Sequence, residues 1–292
     1  MLRYRLLTGT LLAVGVAAEL VADARLAPYF PILFALSMVC GVVTGLELVA
    51  LLPVDHRPDR SAVVPGTLGV LAANWYTPVR ETLGGMPLLP TFADSWQPVI
   101  VTFTLVVLAA FLHEIYHFRG PGNVTVRLAM TTWIVAYLGL LPSFLLKLRW
   151  LGGNPDPAFT GWLMVLVIFV PKCADIGAYF TGRLVGRTPF SPRISPKKTW
   201  EGFVGGLALA ALTAVGIDAV VPIFRYGAAE AIGFGVVVGT AGVLGDLGES
   251  LVKRDCGTKD ASRRLPGFGG LLDVMDSILF AAPVAYLWLA RN

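Results

Sequence analysis

EAIGFGVVVGTAGVLGDLGESLVKRD, residues 230–255, is the stretch whose reading decides the fold. From Ala231 to Val252 nearly every position is apolar or small, and about 20 such residues make a helix long enough to cross the hydrocarbon core of a bilayer. Asp246, Glu249, Ser250 and Lys253 interrupt the run at i, i+3, i+4 and i+7, so on a helix they form one polar stripe. Ionisable groups at membrane depth are costly unless paired or hydrated, which marks the stripe as functional.

The rest of the chain agrees. Of 292 residues 55% are apolar and only 14% charged, whereas a soluble domain carries about 25% charged residues. With a mean hydropathy of +0.71, a soluble enzyme is excluded. Further apolar runs cover about 6–22, 30–52, 97–117, 124–146, 158–181, 201–222 and 270–290, and a shorter one, 61–76, ends at Asn74. The expected fold is therefore all-α, a polytopic membrane helix bundle with about nine transmembrane helices. Arg3 and Arg5 precede the first run, but Glu19 lies inside it and no convincing small-residue cleavage site follows, so a retained helix is expected rather than a signal peptide. Cys40, Cys173 and Cys256 are scattered and odd in number, which suggests packing residues rather than a disulfide framework or a metal site.

A net charge of +4 says little by itself; its placement says more. Arg183, Arg187, Arg193, Lys197 and Lys198 crowd one loop, and Lys253, Arg254, Lys259, Arg263 and Arg264 another, with two spans between them. Short basic loops face the cytoplasm, so both are expected on that side. Counting 61–76 as a span puts Arg3, Arg5, Arg57, Arg60, Arg119 and Arg127 there as well. The character of the sequence changes near residue 172. Residues 1–171 are spans with ordinary loops, and residues 172–292 interleave spans with dense charge, the expected catalytic region.

In that region Asp175, the Asp246/Glu249 pair and the Asp273/Asp276 pair place carboxylates on three spans, near the ends that face the basic loops. Carboxylates hold Mg²⁺, the ion bridges polyphosphate oxygens, and lysine or arginine neutralises the remaining charge. Gly267, Gly269 and Gly270 precede the last span and would let backbone approach a phosphate at a helix N-terminus. Interhelical salt bridges are the bland alternative. A bundle held by packing has no need of so many charges at one end.

Ser195-Pro196-Lys197-Lys198-Thr199-Trp200-Glu201-Gly202 resembles a hallmark of the phosphatidate cytidylyltransferase family, integral membrane enzymes that make CDP-diacylglycerol. A second hallmark is matched by Ser250, Lys253, Arg254, Lys259, Asp260, Leu265-Pro266-Gly267-Phe268-Gly269-Gly270, Asp273 and Asp276. The match covers about 172–280. Two positions depart from it: Phe268 stands where the family has histidine, and Val274 where it has arginine.

The resemblance implies Mg²⁺-dependent transfer of a cytidylyl group from CTP to phosphatidate at the cytoplasmic face of a bacterial inner membrane, with a second cation as an option. It implies Asp246 and Asp273 as metal ligands, with Asp276, Glu249 and Asp260 near them. Lys253, Arg254, Lys259, Lys197 and Lys198 would hold the triphosphate and the lipid phosphate. Ser250 and Glu201 fall within the same motifs, and Ser195 and Thr199 would donate hydrogen bonds or cap the helix that follows. The expected partners are CTP, phosphatidate, the bilayer and a second copy of the chain, with no nucleic acid.

Three rivals stand beside this reading: a CTP-dependent lipid kinase, a catalytically impaired relative, and a transporter. A fourth comes from HEIYH, residues 113–117, whose His113 and His117 at i, i+4 beside Glu114 have the spacing of a zinc protease helix. The candidate third ligand from a later segment, Asp156 of Asn154-Pro155-Asp156-Pro157, is followed by proline where such proteases have glycine, and it falls on the opposite side of the membrane by the same count. Zinc ligands cannot meet across roughly 30 Å.

Overall fold

The computed structural model describes residues 2–84, 90–152, 156–262 and 269–291. The chain divides into two compact units, one of residues 1–146 with 261–272, the other of residues 147–260 with 273–292. Both are built from helices, as expected of a polytopic membrane bundle. Among the described residues seven helices are long and apolar enough to cross a bilayer.

The first unit opens with α1 (Leu2–Ala24) and α2 (Pro31–Leu51). Asp23, fully buried, accepts hydrogen bonds from the backbone N–H groups of Ile32 and Leu33, each at 3.0 Å. It thereby satisfies two donors that the start of α2 leaves without a partner. Next come α3 (Arg60–Ala72), a 3₁₀ turn, α4 (Tyr76–Thr82), α5 (Gln97–His117) and α6 (Val124–Val135). A π turn (Ala136–Leu140) leads from α6 into α7 (Leu141–Lys147), so that helical structure continues from Val124 to Trp150. Val70, Val99 and Val135 are fully buried at the centre of this packing.

Two of the nine expected spans stand outside the seven. With 23 residues α1 has the length, and from α3, with 13, helical structure continues through the 3₁₀ turn into α4 as far as Thr82. The interruption between α3 and α4 is a 3₁₀ turn at Ala73–Trp75, and Pro78, in the first turn of α4, has no N–H to return to the carbonyl of Asn74. The Asn74 side chain, 1% exposed, turns back to donate to Leu71 O at 2.9 Å and to Ser143 Oγ at 2.9 Å. The apolar run 61–76 is thus a buried helix pinned by an asparagine.

The second unit consists of α8 (Pro157–Val185), a hairpin of β1 (Pro189–Ser191) and β2 (Ser195–Thr199), then α9 (Trp200–Val220), α10 (Ala228–Asp255) and, from Asp273 on, α11 (Leu272–Leu289), whose first residue belongs to the first unit. Apolar surface drives little association within a bilayer, so small residues that let backbones close up decide which helices pack. A Cβ added at Gly206 of α9 would lie 2.6 Å from the Ala174 carbonyl oxygen of α8. Added at Gly242 of α10 it would meet Pro171 Cβ of α8 at 2.5 Å, and at Gly245 the Asp276 carbonyl oxygen of α11 at 2.5 Å. These contacts draw the three acid-bearing helices, α8, α10 and α11, together at one level.

Candidate active site

Lys172 and Asp175 lie on α8, Asp246, Glu249, Ser250 and Lys253 on α10, and Asp273 and Asp276 on α11. The helical spacing of the α10 stripe puts its members on one face, and the packing supplies partners. Lys253 Nζ donates to Glu249 Oε2 at 2.6 Å and to Asp273 Oδ1 at 2.5 Å. Lys172 Nζ donates to Asp276 Oδ1 at 3.3 Å and lies 3.8 Å from Asp175 Oδ2. Ser250 Oγ donates to Asp246 Oδ1 at 3.4 Å. Glu249, Lys253 and Asp276 are buried, whereas Asp246 and Asp175 are partly open.

Lys198 joins the helices from the hairpin, its Nζ 2.8 Å from Asp246 Oδ2. Successive residues of a strand face opposite sides. Lys198 therefore turns toward α10 while its neighbour Lys197 is exposed. The hairpin is itself held at several points. Arg254 Nε donates to the Ile194 carbonyl at 3.2 Å. Thr199 caps α9 by accepting from Gly202 N–H at 3.1 Å, which settles its role in the fold. Glu201 accepts from the backbone N–H of Arg187 at 3.1 Å and the Thr188 hydroxyl at 2.9 Å, so it braces the turn before β1.

The remaining expected site residues are placed differently. Lys259 and Asp260 are exposed beyond the end of α10, and Ser195, half-buried, pairs with Ser191 across the hairpin. Gly269 and Gly270 are described, with Gly269 at φ +97°, where glycine is favoured. Gly267, Phe268, Arg263 and Arg264 lie outside the described residues. Lys172 was not anticipated; its signal was present, a lysine inside the span 158–181 three residues before Asp175.

Among the described residues no three His, Cys, Asp or Glu side chains converge as metal ligands. Lysines bridge the carboxylates instead. The donor chemistry still fits a hard divalent cation, which prefers oxygen ligands. Five carboxylates share three lysines, Lys172, Lys198 and Lys253.

The profile of the cytidylyltransferase family matches residues 3–291. The chain belongs to this family. It is 40% identical over 172 residues to the phosphatidate cytidylyltransferase of Mycobacterium tuberculosis, covering 58% of this chain and 49% of that protein. It is 37% identical over 155 residues to the Haemophilus influenzae protein of the same name, 51% and 54% of the two chains. With the Pseudomonas aeruginosa phosphatidate cytidylyltransferase it shares 34% identity over 206 residues, 63% of this chain and 76% of that one. The chain spans about half the length of the first two relatives. Family membership extends across both units, although the motifs that announce it lie only in the C-terminal half.

The side chains of the HEIYH segment are engaged in other contacts. It forms the last turns of α5, where Arg127 grips Glu114 with Nε at 2.9 Å from Oε1 and a terminal nitrogen at 2.5 Å from Oε2. The would-be general base is thus tied to a guanidinium. His113 Nε2 is 3.4 Å from Asp59 Oδ2, and His117 Nδ1 is 2.8 Å from the His113 carbonyl oxygen. The Ser61 backbone N–H holds the Asp59 carboxyl below the usual carboxylate range. Asp156, the third ligand a protease would need, caps α8 by accepting from Ala158 N–H at 3.0 Å.

Proposed function

We propose that this chain transfers the cytidylyl group of CTP to phosphatidate, giving CDP-diacylglycerol and pyrophosphate. Membership of the family and the names of its relatives support the reading. One observation carries it: Lys198 of the hairpin motif is paired with Asp246 of α10, so two motifs about 50 residues apart in sequence build one site of carboxylates and lysines.

A phosphate oxygen of phosphatidate attacks the α-phosphorus of CTP. A new P–O bond forms, the bond from the α-phosphorus to the bridging oxygen breaks, and pyrophosphate leaves with that electron pair. Because the nucleophile is already an anion, the residues need mainly to align two anions and neutralise their charge. Lys198 and Lys172, each partly open, face the substrates, and Lys253 holds Glu249 and Asp273 in place. Exposed Lys197, Arg254 and Lys259 form a basic approach for the triphosphate. Mg²⁺, when bound, supplies further neutralisation of the triphosphate; Asp246 and Asp273 would hold it, with Asp276 and Glu249 around them. The acyl chains stay in the bilayer while the head group reaches the site from the cytoplasmic side of the inner membrane.

The test is product analysis with labelled CTP and phosphatidate, with and without Mg²⁺. CDP-lipid and pyrophosphate support the transferase. CDP with a phosphorylated lipid replaces it by a CTP-dependent kinase, and no turnover by folded protein points to an impaired relative or a transporter. Asp246→Asn should abolish transfer while the protein stays folded; activity retained in that variant refutes the site.

A further inference from the structure

Glu47 lies near the end of α2 and is 2% exposed. A carboxylate buried in a spanning helix persists only where its oxygens find donors, and both oxygens of Glu47 do. Oε1 accepts from Ser262 Oγ at 2.7 Å, 215 residues away in sequence. Oε2 accepts from the backbone N–H of Leu272 at 3.0 Å, 225 residues away. Leu272 is the first residue of α11, and the first N–H groups of a helix have no partner within it. A carboxylate at that end also complements the positive pole of the helix.

The segment before Leu272 is shaped to this acid. Gly270 is buried, and a Cβ there would stand 2.7 Å from Glu47 Oε2 and 3.1 Å from Ser262 Oγ. Only glycine leaves room for the carboxylate. Glu47 thus caps α11 from another part of the chain, and the residue that follows the capped amide is Asp273, with Asp276 one turn later.

We infer that Glu47 is a positioning residue for the transfer reaction: it fixes the first turn of α11 and with it the placement of Asp273 and Asp276. The inference rests on the proposed function for its catalytic consequence, and on the hydrogen bonds alone for the anchoring. Displacing reacting groups by about 1 Å costs on the order of 100-fold in rate. Glu47→Ala should therefore lower kcat per folded molecule by about that factor, with the KM for CTP changing much less. Glu47→Gln keeps an acceptor for the Leu272 amide and a partner for the Ser262 hydroxyl, so it should recover most of the activity.

The experiment combines these kinetics with hydrogen–deuterium exchange over residues 269–276 in the full-length protein. Faster exchange in Glu47→Ala, restored in Glu47→Gln and accompanied by the fall in kcat, is the expected result. Folded Glu47→Ala with unchanged exchange and wild-type kcat overturns the inference, as does Glu47→Gln behaving like alanine. Should Glu47→Ala fail to fold, Ser262→Ala removes one of the two hydrogen bonds and must show the faster exchange and the slower turnover; unchanged values in that variant overturn it equally. A wild-type protein that makes no CDP-lipid defeats the proposed function, while the exchange comparison still decides whether Glu47 anchors α11.

Discussion

Replacing Lys253 by Met tests the energetics of the site most directly. Its ammonium donates to Glu249 at 2.6 Å and to Asp273 at 2.5 Å, and the Glu249 residue is 2% exposed. Methionine keeps the length of the side chain and removes the charge, leaving buried Glu249 and half-buried Asp273 without the ammonium that joins them. Removing one partner of a buried ion pair costs about 3–5 kcal/mol, mostly because the other charge is stranded. At about 2–4 °C per kcal/mol for a chain of this size, the unfolding midpoint in detergent should fall by roughly 6–20 °C. Lys253→Met/Glu249→Gln removes one stranded charge together with its partner and should recover most of that loss. The double variant should still fail to transfer nucleotide, since Lys253 no longer holds Asp273. Thermal unfolding of the three proteins beside a CDP-lipid assay decides the matter. A single variant within about 1 kcal/mol of wild type, or a double variant no more stable than the single, would show that Lys253 does not balance a buried charge.

The remaining predictions concern packing, the hairpin and the histidines. Gly245→Ala sets a methyl group 2.5 Å from the Asp276 carbonyl, so α10 and α11 must separate; overpacking of this kind costs about 1–3 kcal/mol, and transfer activity should fall with it. Lys198→Ala should lower kcat/KM at least about tenfold, the effect of losing one charged hydrogen bond of about 1.5–3 kcal/mol, while Lys197→Ala, on the opposite face of β2, should lower it far less. Equal losses in a steady-state assay would refute the facing of the hairpin. His113→Ala and His117→Ala should leave CDP-lipid formation near wild type, and a metal-dependent loss in either would reopen the zinc reading.

Much of this was legible because it is local. The α10 stripe is a statement about 3.6-residue periodicity, and Lys253 reaches Glu249 one turn back as that spacing requires. Thr199 before Trp200 and Glu201 reads as a helix start, and it is one. The apolar run 61–76 reads as one helix, whereas in the structure a 3₁₀ turn at Ala73–Trp75 divides α3 from α4, an interruption that hydropathy does not register. The strands at 189–191 and 195–199 were not expected. Five residues containing Pro196 and two lysines carry no alternating pattern, and only the partner strand makes them a strand.

What stayed hidden are pairings across long separations. Lys172 and Asp276 meet at 3.3 Å across 104 residues, and Glu47 reaches Leu272 across 225. Both residues announce themselves only as charges in apolar runs, a signal that says a partner must exist without saying which. Small residues choose the partner: with Pro171 against Gly242 and Gly245 against the Asp276 backbone, α8, α10 and α11 close up at the level of their charged groups. Acids concentrated on three helices would repel one another and hold the helices apart. Lysines seated between them let the glycines close, so the charges needed for chemistry are compensated by the residues that complete the packing. Loss of a bridging lysine should therefore disturb the fold and the reaction together, whereas loss of Lys197, which faces away, should disturb mainly the approach of the nucleotide.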